Sequence, residues 1–296
     1  MSRKNINTVT IGKKLGKLEF EARFVVGKLR SGASATRKDR LNCLGSIGRT
    51  MQKYGLNSIK DIKPAHVGRY FAELRGKGLS EGRIANHASA MRCLCSMMGK
   101  SEIVPSNREL GCARDVANRT KHADERMDVA KVAETRARLS EASQVAYDMG
   151  RYFGLRQKEA LLSNITVDKD GVICLVVEGA KGGRPRVVPV TTYEQLEVLA
   201  RNTAYRSAHG GTLIDAGLSL KQGIKRMQNE LASAGANRNS GANTHSLRRE
   251  WIIVECQRIK AAPEAEREGM LKELVESVGH GRTEVIGAYT SLMDEE

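Results

Sequence analysis

Apolar residues recur at helical spacing through the first part of the chain and predict four amphipathic helices. Pro64 suits the first turn of the third helix, because proline has no N–H to leave unpaired there, and Ser80 can cap the fourth. Gly55 and Gly99 are the expected stops of the second and fourth helices. The predicted helices cover 18–30, 35–54, a stretch from 64 that includes Leu74, and 80–99. The pattern indicates an all-helical domain over 18–112.

The second part of the chain mixes helical periodicity with two short β-rich runs. The runs are Val172–Val177 and Arg186–Val190, and the glycine-rich tip between them is typical of a β-hairpin. Further helices are expected near 128–139, 141–153, from Thr192, near 219–233, around Leu247–Val254, and from Pro263 to Gly279. The predicted fold class is mainly α with a small β-sheet, in which a helical N-terminal domain precedes an α+β domain.

The net charge of +15 is confined to the first part of the chain. Residues 1–126 hold 26 lysine and arginine residues against 11 acidic ones, whereas residues 127–296 hold 23 of each. The change falls in a polar stretch broken by glycine and proline, which predicts a linker over 113–127. The remaining predicted divisions are an N-terminal extension (1–17) and a second domain (128–296).

A segment this basic attracts polyanions, and duplex DNA is the usual one. A solubilising surface and attraction to anionic lipid are the alternatives, although lipid binding favours one basic amphipathic stretch at a chain end. On the fourth helix, Arg83, Asn86 and His87 are expected on the face opposite the apolar one, and Arg184 lies in the hairpin tip. These four residues are candidate DNA contacts, and a solvated surface is the alternative for each.

Several classes of protein are disfavoured by the same sequence. No run approaches the roughly 18 apolar residues of a membrane span. The basic start, Met1–Asn5, is not followed by an apolar stretch, so no secretory signal is predicted and a cytoplasmic location is expected. The six cysteines show neither a CxxC nor a zinc-like spacing, so reduced thiols and no metal are expected.

Two His-x-x-Arg pairs occur, and the spacing alone is weak evidence for a site. His66/Arg69 lies on the third predicted helix and is expected to be accidental. His245/Arg248 has a richer setting, because other phosphate-directed and proton-transferring residue types flank it in order. They are Arg156 and Glu159 in Gly154–Glu159, Lys181 in the hairpin, His280 after Gly279, and Tyr289. Taken singly, each of these residues also has an ordinary structural interpretation.

This ordered set resembles the tyrosine recombinase (integrase) family of the lambda-integrase type. The resemblance covers roughly residues 128–292, and the N-terminal domain is similar to the family's core-binding domain only in size, charge and helical content. It implies a site-specific recombinase that cleaves and rejoins DNA through a 3′-phosphotyrosyl intermediate, without a metal or any other cofactor. Integration or excision of a phage, integrative element or genomic island is the expected role.

The resemblance also implies a role for each matching residue. Arg156 and Arg248 would bind the scissile phosphate, since guanidinium stays charged and presents a planar fork. Tyr289 would attack phosphorus, Lys181 would protonate the departing 5′-oxygen, and His245 would assist proton transfer at the nucleophile. The remaining two are His280, which would donate a hydrogen bond to the phosphate, and Glu159, which would orient the arginines.

The partners implied are double-stranded DNA with specific recombination sites, a homotetramer on that DNA formed from monomers, and an accessory DNA-bending or directionality factor. No membrane partner is expected, and the enzyme would be associated with the nucleoid. The His245–His280 interval is about ten residues longer than in compact family members, with the surplus near 259–269, and the tail after Tyr289 is short. A dimer-resolution recombinase of the Xer type, a type IB topoisomerase and an inactive DNA-binding regulator remain alternatives.

Overall fold

The computed structural model describes residues 16–27, 34–112, 126–167, 171–178 and 186–279. Contacts within the chain divide it into two compact units, residues 1–115 and 116–296. Within the described ranges the secondary structure is mainly helical with one small antiparallel sheet, so the predicted fold class is confirmed.

The described residues of the first unit form helices joined by turns and short irregular segments. Gly55, the expected stop of the second helix, lies in the turn after that helix and has a φ of +81°. Ser80 occupies the position before the fourth helix. The bounds are α1 Lys17–Gly27, α2 Ser34–Lys53, α3 Pro64–Gly76 and α4 Glu81–Met97, with short 3₁₀ turns at Ile59–Asp61 and Ser101–Ile103. The four predicted helices are therefore present with small shifts at their ends.

The His66/Arg69 pair has structural partners in this unit. Nδ1 of His66 accepts a hydrogen bond of 3.1 Å from the backbone N–H of Lys63, at the start of α3. The Arg69 guanidinium lies over the ring of Tyr54, 4.2 Å from its centroid, and its Nε is 3.8 Å from a carboxylate oxygen of Glu73. A cap and a cation–π contact thus account for this pair.

The second unit surrounds one central helix, α6, which packs against α7, α8 and α10. Large side chains such as Tyr147 and Phe153 of α6 are fully buried in its core. The helix bounds are α5 Val129–Ala137, α6 Glu141–Phe153, α7 Gln157–Leu162, α8 Tyr193–Ala208, α9 Leu220–Ser233, α10 Thr244–Ala261 and α11 Glu264–Ser277. Among the described residues, no helix is long and apolar enough to span a membrane.

The sheet has the strand order β1-β2-β3 and is antiparallel throughout its described strands. Leu175 of β2 pairs with Ile165 of β1 and with Val188 of β3, and Leu175 and Val188 face the core. The bounds are β1 Asn164–Val167, β2 Ile173–Val177 and β3 Arg186–Pro189. The two predicted runs became β2 and β3, whereas the sequence pattern did not predict β1.

Residues 259–269, where the sequence predicts surplus length between His245 and His280, lie at the junction of α10 and α11. Helix α10 continues to Ala261, and Pro263 directly precedes the first turn of α11. The two helices share a small apolar core of their own. The buried members of this core are Ile252, Cys256, Ile259, Leu274, Val275 and Val278. Residues 259–269 therefore belong to a helix pair whose far end lies at Val278, shortly before His280 in the chain.

Candidate active site

Arg156 follows a sharp turn that ends α6. Gly154 adopts a φ of +60°, the left-handed region that favours glycine, and it lies beneath the indole of Trp251. A Cβ at Gly154 would lie 2.9 Å from Cδ2 of Trp251 and closer still to its Cε3. The turn therefore brings the chain against α10 and places Arg156 at the start of α7.

Replacing Gly154 by alanine is expected to lower the free energy of unfolding by about 2–4 kcal/mol. The left-handed φ accounts for about 1–2 kcal/mol and overpacking against Trp251 for the rest. Gly217 is a matched control, because its φ is +80° but a Cβ there would meet no atom within 4 Å. Urea denaturation should show the larger loss for Gly154→Ala, and equal losses in the two variants would contradict the packing argument.

The Glu159 carboxylate is the hub of the site and is only 1% exposed. Its Oε1 accepts a hydrogen bond of 2.7 Å from Nη1 of Arg156, and its Oε2 accepts one of 3.0 Å from the Arg156 backbone N–H. Oε2 also accepts a hydrogen bond of 3.0 Å from Nη2 of Arg186 and lies 3.8 Å from Nη1 of Arg248. One buried carboxylate thus connects three arginines.

The ionisation of Glu159 follows from these partners. Burial by itself would raise the pKa of a carboxyl group, because it penalises the charged form. Hydrogen bonds and charge from Arg186, together with the backbone and side-chain donors of Arg156, outweigh burial and lower the pKa of Glu159 to about 2. The carboxylate is therefore charged near neutral pH and can hold the guanidinium groups in place.

Arg248 is held by backbone carbonyl groups at both ends of its guanidinium. Nη1 donates to the carbonyl oxygen of Gly154, and Nη2 donates to that of Val278 at 2.6 Å. The side chain is 8% exposed. Because one planar group joins the turn before Arg156 to the end of α11, it fixes the separation of these two stretches.

His245 lies in the first turn of α10, which the preceding loop positions firmly. Oδ1 of Asn243 accepts from the backbone N–H groups of His245 and Ser246, at 2.9 and 3.1 Å. Nδ2 of Asn243 donates to the carbonyl oxygens of Asn237 and Arg238, at 3.2 and 3.1 Å. The cap anchors the start of the helix, as Asn does at many helix N-termini.

The imidazole of His245 is favoured in its neutral form. The residue is exposed overall, but partial burial of the ring is the largest cause lowering the pKa of His245. The positive charges of Arg248, Arg156 and Arg249 lower the pKa of the ring further. A neutral imidazole near pH 7 can accept a proton, which is the property that a proton-transfer partner needs.

The structure thus brings together Arg156, Glu159 and Arg248 by direct contact. His245 lies near enough for the charges of Arg156 and Arg248 to lower its pKa. The predicted residues Lys181, Arg184, His280 and Tyr289 lie outside the described residues. The described residues nearest to them in the chain include Arg186 at the hairpin base and Gly279 before His280. These two neighbours lie close to the arginine cluster, since Arg186 contacts both Glu159 and Gly279.

Arg186 belongs to the cluster, although the sequence pattern indicated only the start of a β-run there. It lies on the same face of β3 as the buried Val188, and its own side chain is 9% exposed. A cation at a core-facing position of a strand was the available signal, because such positions are normally apolar.

The predicted polar face of α4 needs one correction. His87 was expected to be exposed, but it is 4% exposed, and its Nδ1 is 2.7 Å from the hydroxyl oxygen of Tyr70. The expectation was wrong because α4 is packed against α1, α2 and α3, so little of its circumference faces solvent. Arg83 and Asn86 are more open, and both donate to the Asp39 carboxylate, at 2.7 and 3.2 Å.

Comparison with protein-family models found a match in each of the two units. A family model described as integrase matches residues 111–253, and a model described as phage integrase, N-terminal, matches residues 16–104. No curated protein was found to match the sequence significantly.

Two solved structures are similar across most of the chain. One is a lambda integrase dimer bound to a COC′ core site, with 14% identity and a TM-score of 0.59, covering 94% of this chain and 78% of that one. Another is the Tn1549 transposon integrase in complex with transposon right end DNA, with 11% identity and a TM-score of 0.54, covering 92% and 94%. At these identities the likeness concerns the fold.

The two-unit fold and the arginine cluster around Glu159 define an integrase-type enzyme. The chain belongs to the tyrosine recombinase family of the phage integrase type and is a site-specific tyrosine recombinase. The family predicted from the ordered residues is therefore confirmed.

Proposed function

We propose that the enzyme cleaves and rejoins duplex DNA at specific sites through a 3′-phosphotyrosyl link to Tyr289, and that it integrates or excises a mobile DNA element. The observation that carries the proposal is the arrangement of Arg156 and Arg248 around the Glu159 carboxylate, beside a histidine whose pKa is lowered. Two arginines can bind a phosphate group, and a neutral histidine beside them can accept a proton during its reaction.

The reaction is a transesterification in which the number of phosphoester bonds is conserved. The phenolic oxygen of Tyr289 attacks phosphorus and the bond from phosphorus to the 5′-oxygen breaks. His245 accepts the phenolic proton, and Lys181 donates a proton to the departing oxygen. Arg156 and Arg248 stabilise the charge that develops on the non-bridging oxygens, and His280 donates a further hydrogen bond there. Rejoining is the reverse attack by a 5′-hydroxyl.

DNA is the partner that best accounts for the charge of the chain. The excess positive charge lies in residues 1–126. The matched lambda integrase is bound to a COC′ core site, and the matched Tn1549 integrase is in complex with transposon right end DNA. Among the candidate contacts, Arg83 and Asn86 of α4 and Arg184 of the hairpin tip are retained, whereas the buried His87 is not. We further propose that four protomers assemble on paired sites, with an accessory bending or directionality factor.

The test begins by locating the recombination site, which is expected as an attachment-site repeat in the DNA that flanks the gene. A nicked suicide duplex carrying this site should trap a covalent complex with the wild-type enzyme and none with Tyr289→Phe. Tyr193→Phe is the matched control, since that exposed tyrosine should leave trapping unchanged. Denaturing gel electrophoresis measures the complex, and its persistence in Tyr289→Phe would remove Tyr289 from the mechanism.

A further inference from the structure

Arg186 is a buried arginine that joins three stretches of the second unit. It begins β3, five residues after Lys181 in the chain. Its Nη2 donates to Oε2 of Glu159 at 3.0 Å, and its Nε donates to the carbonyl oxygen of Ser277, the last residue of α11. The guanidinium also lies against Gly279, where a Cβ would be 3.1 Å from Nη1.

Packing alone does not account for a cation at this position. Burying a guanidinium carries a large desolvation penalty unless hydrogen bonds and an opposite charge compensate for it. An apolar residue would fill the same face of β3, as Val188 does. Nη1 of Arg186 is buried and has no hydrogen-bond partner within the part of the chain that the structure describes. The hydrogen bonds that offset the desolvation penalty are those from Nη2 to Glu159 and from Nε to Ser277.

The contacts divide the two oxygens of Glu159 between different arginines. Oε1 takes the Arg156 side chain, whereas Oε2 takes Arg186 and the Arg156 backbone. Nη1 of Arg248 remains 3.8 Å from Oε2. Without Arg186, the carboxylate could turn toward Arg248 and form a closer pair with it. By occupying Oε2, Arg186 keeps Glu159 bound to Arg156 and leaves Arg248 bound to the carbonyl groups of Gly154 and Val278.

We propose that Arg186 is a positioning residue for DNA cleavage, which acts through Glu159 and the end of α11 rather than by contacting DNA. It keeps Arg156 aimed at the phosphate and fixes the point from which the chain continues to His280 and Tyr289. The start of β3, the Glu159 carboxylate and the end of α11 are thereby held in fixed positions relative to one another. The proposal rests on the proposed function, because it concerns the cleavage step.

The experiment measures single-turnover cleavage of the nicked duplex by intact enzyme at saturating concentration, together with the dissociation constant of the complex. Arg186→Gln should cleave on the order of 10- to 100-fold more slowly, which is the loss typical when a residue that orients a functional side chain is replaced. Its affinity for DNA should be nearly unchanged. Arg186→Lys should recover part of the rate, because an ammonium can still pair with Glu159.

A matched control comes from Asp148, another buried carboxylate held by two arginines. Its Oδ1 and Oδ2 accept from Nε of Arg136 at 3.0 and 2.8 Å, and Oδ2 lies 2.8 Å from Nη2 of Arg201. Arg136→Gln should therefore lose stability by the same physical route as Arg186→Gln, without slowing cleavage by the folded fraction. Thermal melting and circular dichroism establish that fraction for both variants.

A pH profile supplies a readout that a purely structural role would not change. Among the residues that the structure describes, the charged groups facing the Glu159 carboxylate are Arg156 at the start of its own helix, Arg186 from β3 and Arg248 from α10. His245 lies near Arg156 and Arg248. Arg186 contributes more than any other of these groups to lowering the pKa of Glu159, through its hydrogen bond and its charge. Its removal should raise that pKa. The rate ratio of wild type to Arg186→Gln should therefore rise as the pH falls from about 8 to about 5.5.

The double variant Glu159→Gln/Arg186→Gln completes the test. Compared with Glu159→Gln alone, its rate ratio should not change with pH, because no carboxyl group remains to titrate. Wild-type cleavage rates in Arg186→Gln, an equal slowing in Arg136→Gln, or an acid dependence that survives in the double variant would each overturn the positioning role. Failure of the proposed function looks different, since the wild-type enzyme itself would then trap no covalent complex.

Discussion

Arg248→Lys should slow DNA cleavage by on the order of 100- to 1,000-fold while the variant still binds DNA. Lysine keeps the charge, but its ammonium is a compact group with no planar fork. It cannot reach the carbonyl oxygens of Gly154 and Val278 and also present donors to a phosphate. The expected loss lies in the rate, because charge on the non-bridging oxygens grows toward the transition state.

The same substitution should lower stability by about 2–4 kcal/mol, since charge-assisted hydrogen bonds to two carbonyl groups are lost. Arg206→Lys controls for this effect. Arg206 is also partly buried and donates to the carbonyl oxygens of Leu161 and Ser163, at 3.1 and 2.9 Å, without contacting the arginine cluster. Single-turnover rates corrected for the folded fraction should fall only in Arg248→Lys, and rates within threefold of wild type would contradict a phosphate-binding role.

The sequence predicted the helices well where each buries one clear stripe. Helix α2 ends close to its predicted glycine stop, and α3 begins at Pro64. Helix α4 is different because it packs on three neighbouring helices, and small residues such as Ala88 and Ala90 allow close approach. When most of a helix is covered, a polar residue such as His87 can be buried by pairing, and helical periodicity no longer separates a wet face from a dry one.

That Arg156, Glu159 and Arg248 lie together was predictable because the order of these residues along the chain is specific, but their mutual dependence was not. Sequence order identified Arg156, Glu159, His245 and Arg248 as parts of one site. That Glu159 serves three arginines depends on how β3 and α10 meet α7, which is a tertiary arrangement. Arg186 was missed for this reason. Its one signal was a cation at a core-facing position of a strand, and a single charged residue on a short strand forms no periodic pattern.

Glu159→Gln should remove about 3 kcal/mol of stability at pH 7 and slow cleavage on the order of 10- to 100-fold. The stability figure follows from a folded-state pKa of about 2 against about 4.3 for an unfolded glutamate, at 1.36 kcal/mol per pKa unit. It is comparable to the 3–5 kcal/mol typical of breaking a buried ion pair, because the arginines remain behind without their carboxylate.

The pH dependence of this loss has a definite sign. Because the pKa of Glu159 is lowered in the folded state, its stabilisation is complete above about pH 5.5 and is lost as the pH falls through about 4 toward about 2. The unfolding free energies of wild type and Glu159→Gln should therefore converge as the pH is lowered, in urea titrations taken down to the acid limit of folding. A gap that stays constant with pH would place the stabilisation elsewhere than in the charge of Glu159.

Asp148→Asn separates the two consequences of Glu159→Gln. Asp148 is 2% exposed and lies between Arg136 and Arg201, so its replacement also leaves two arginines beside a neutral amide. We expect both variants to unfold at lower urea concentration than wild type, but only Glu159→Gln to cleave slowly once folded. If Asp148→Asn slowed cleavage equally, Glu159 would be a stabilising residue of the second unit and Arg156 would be aimed by something else.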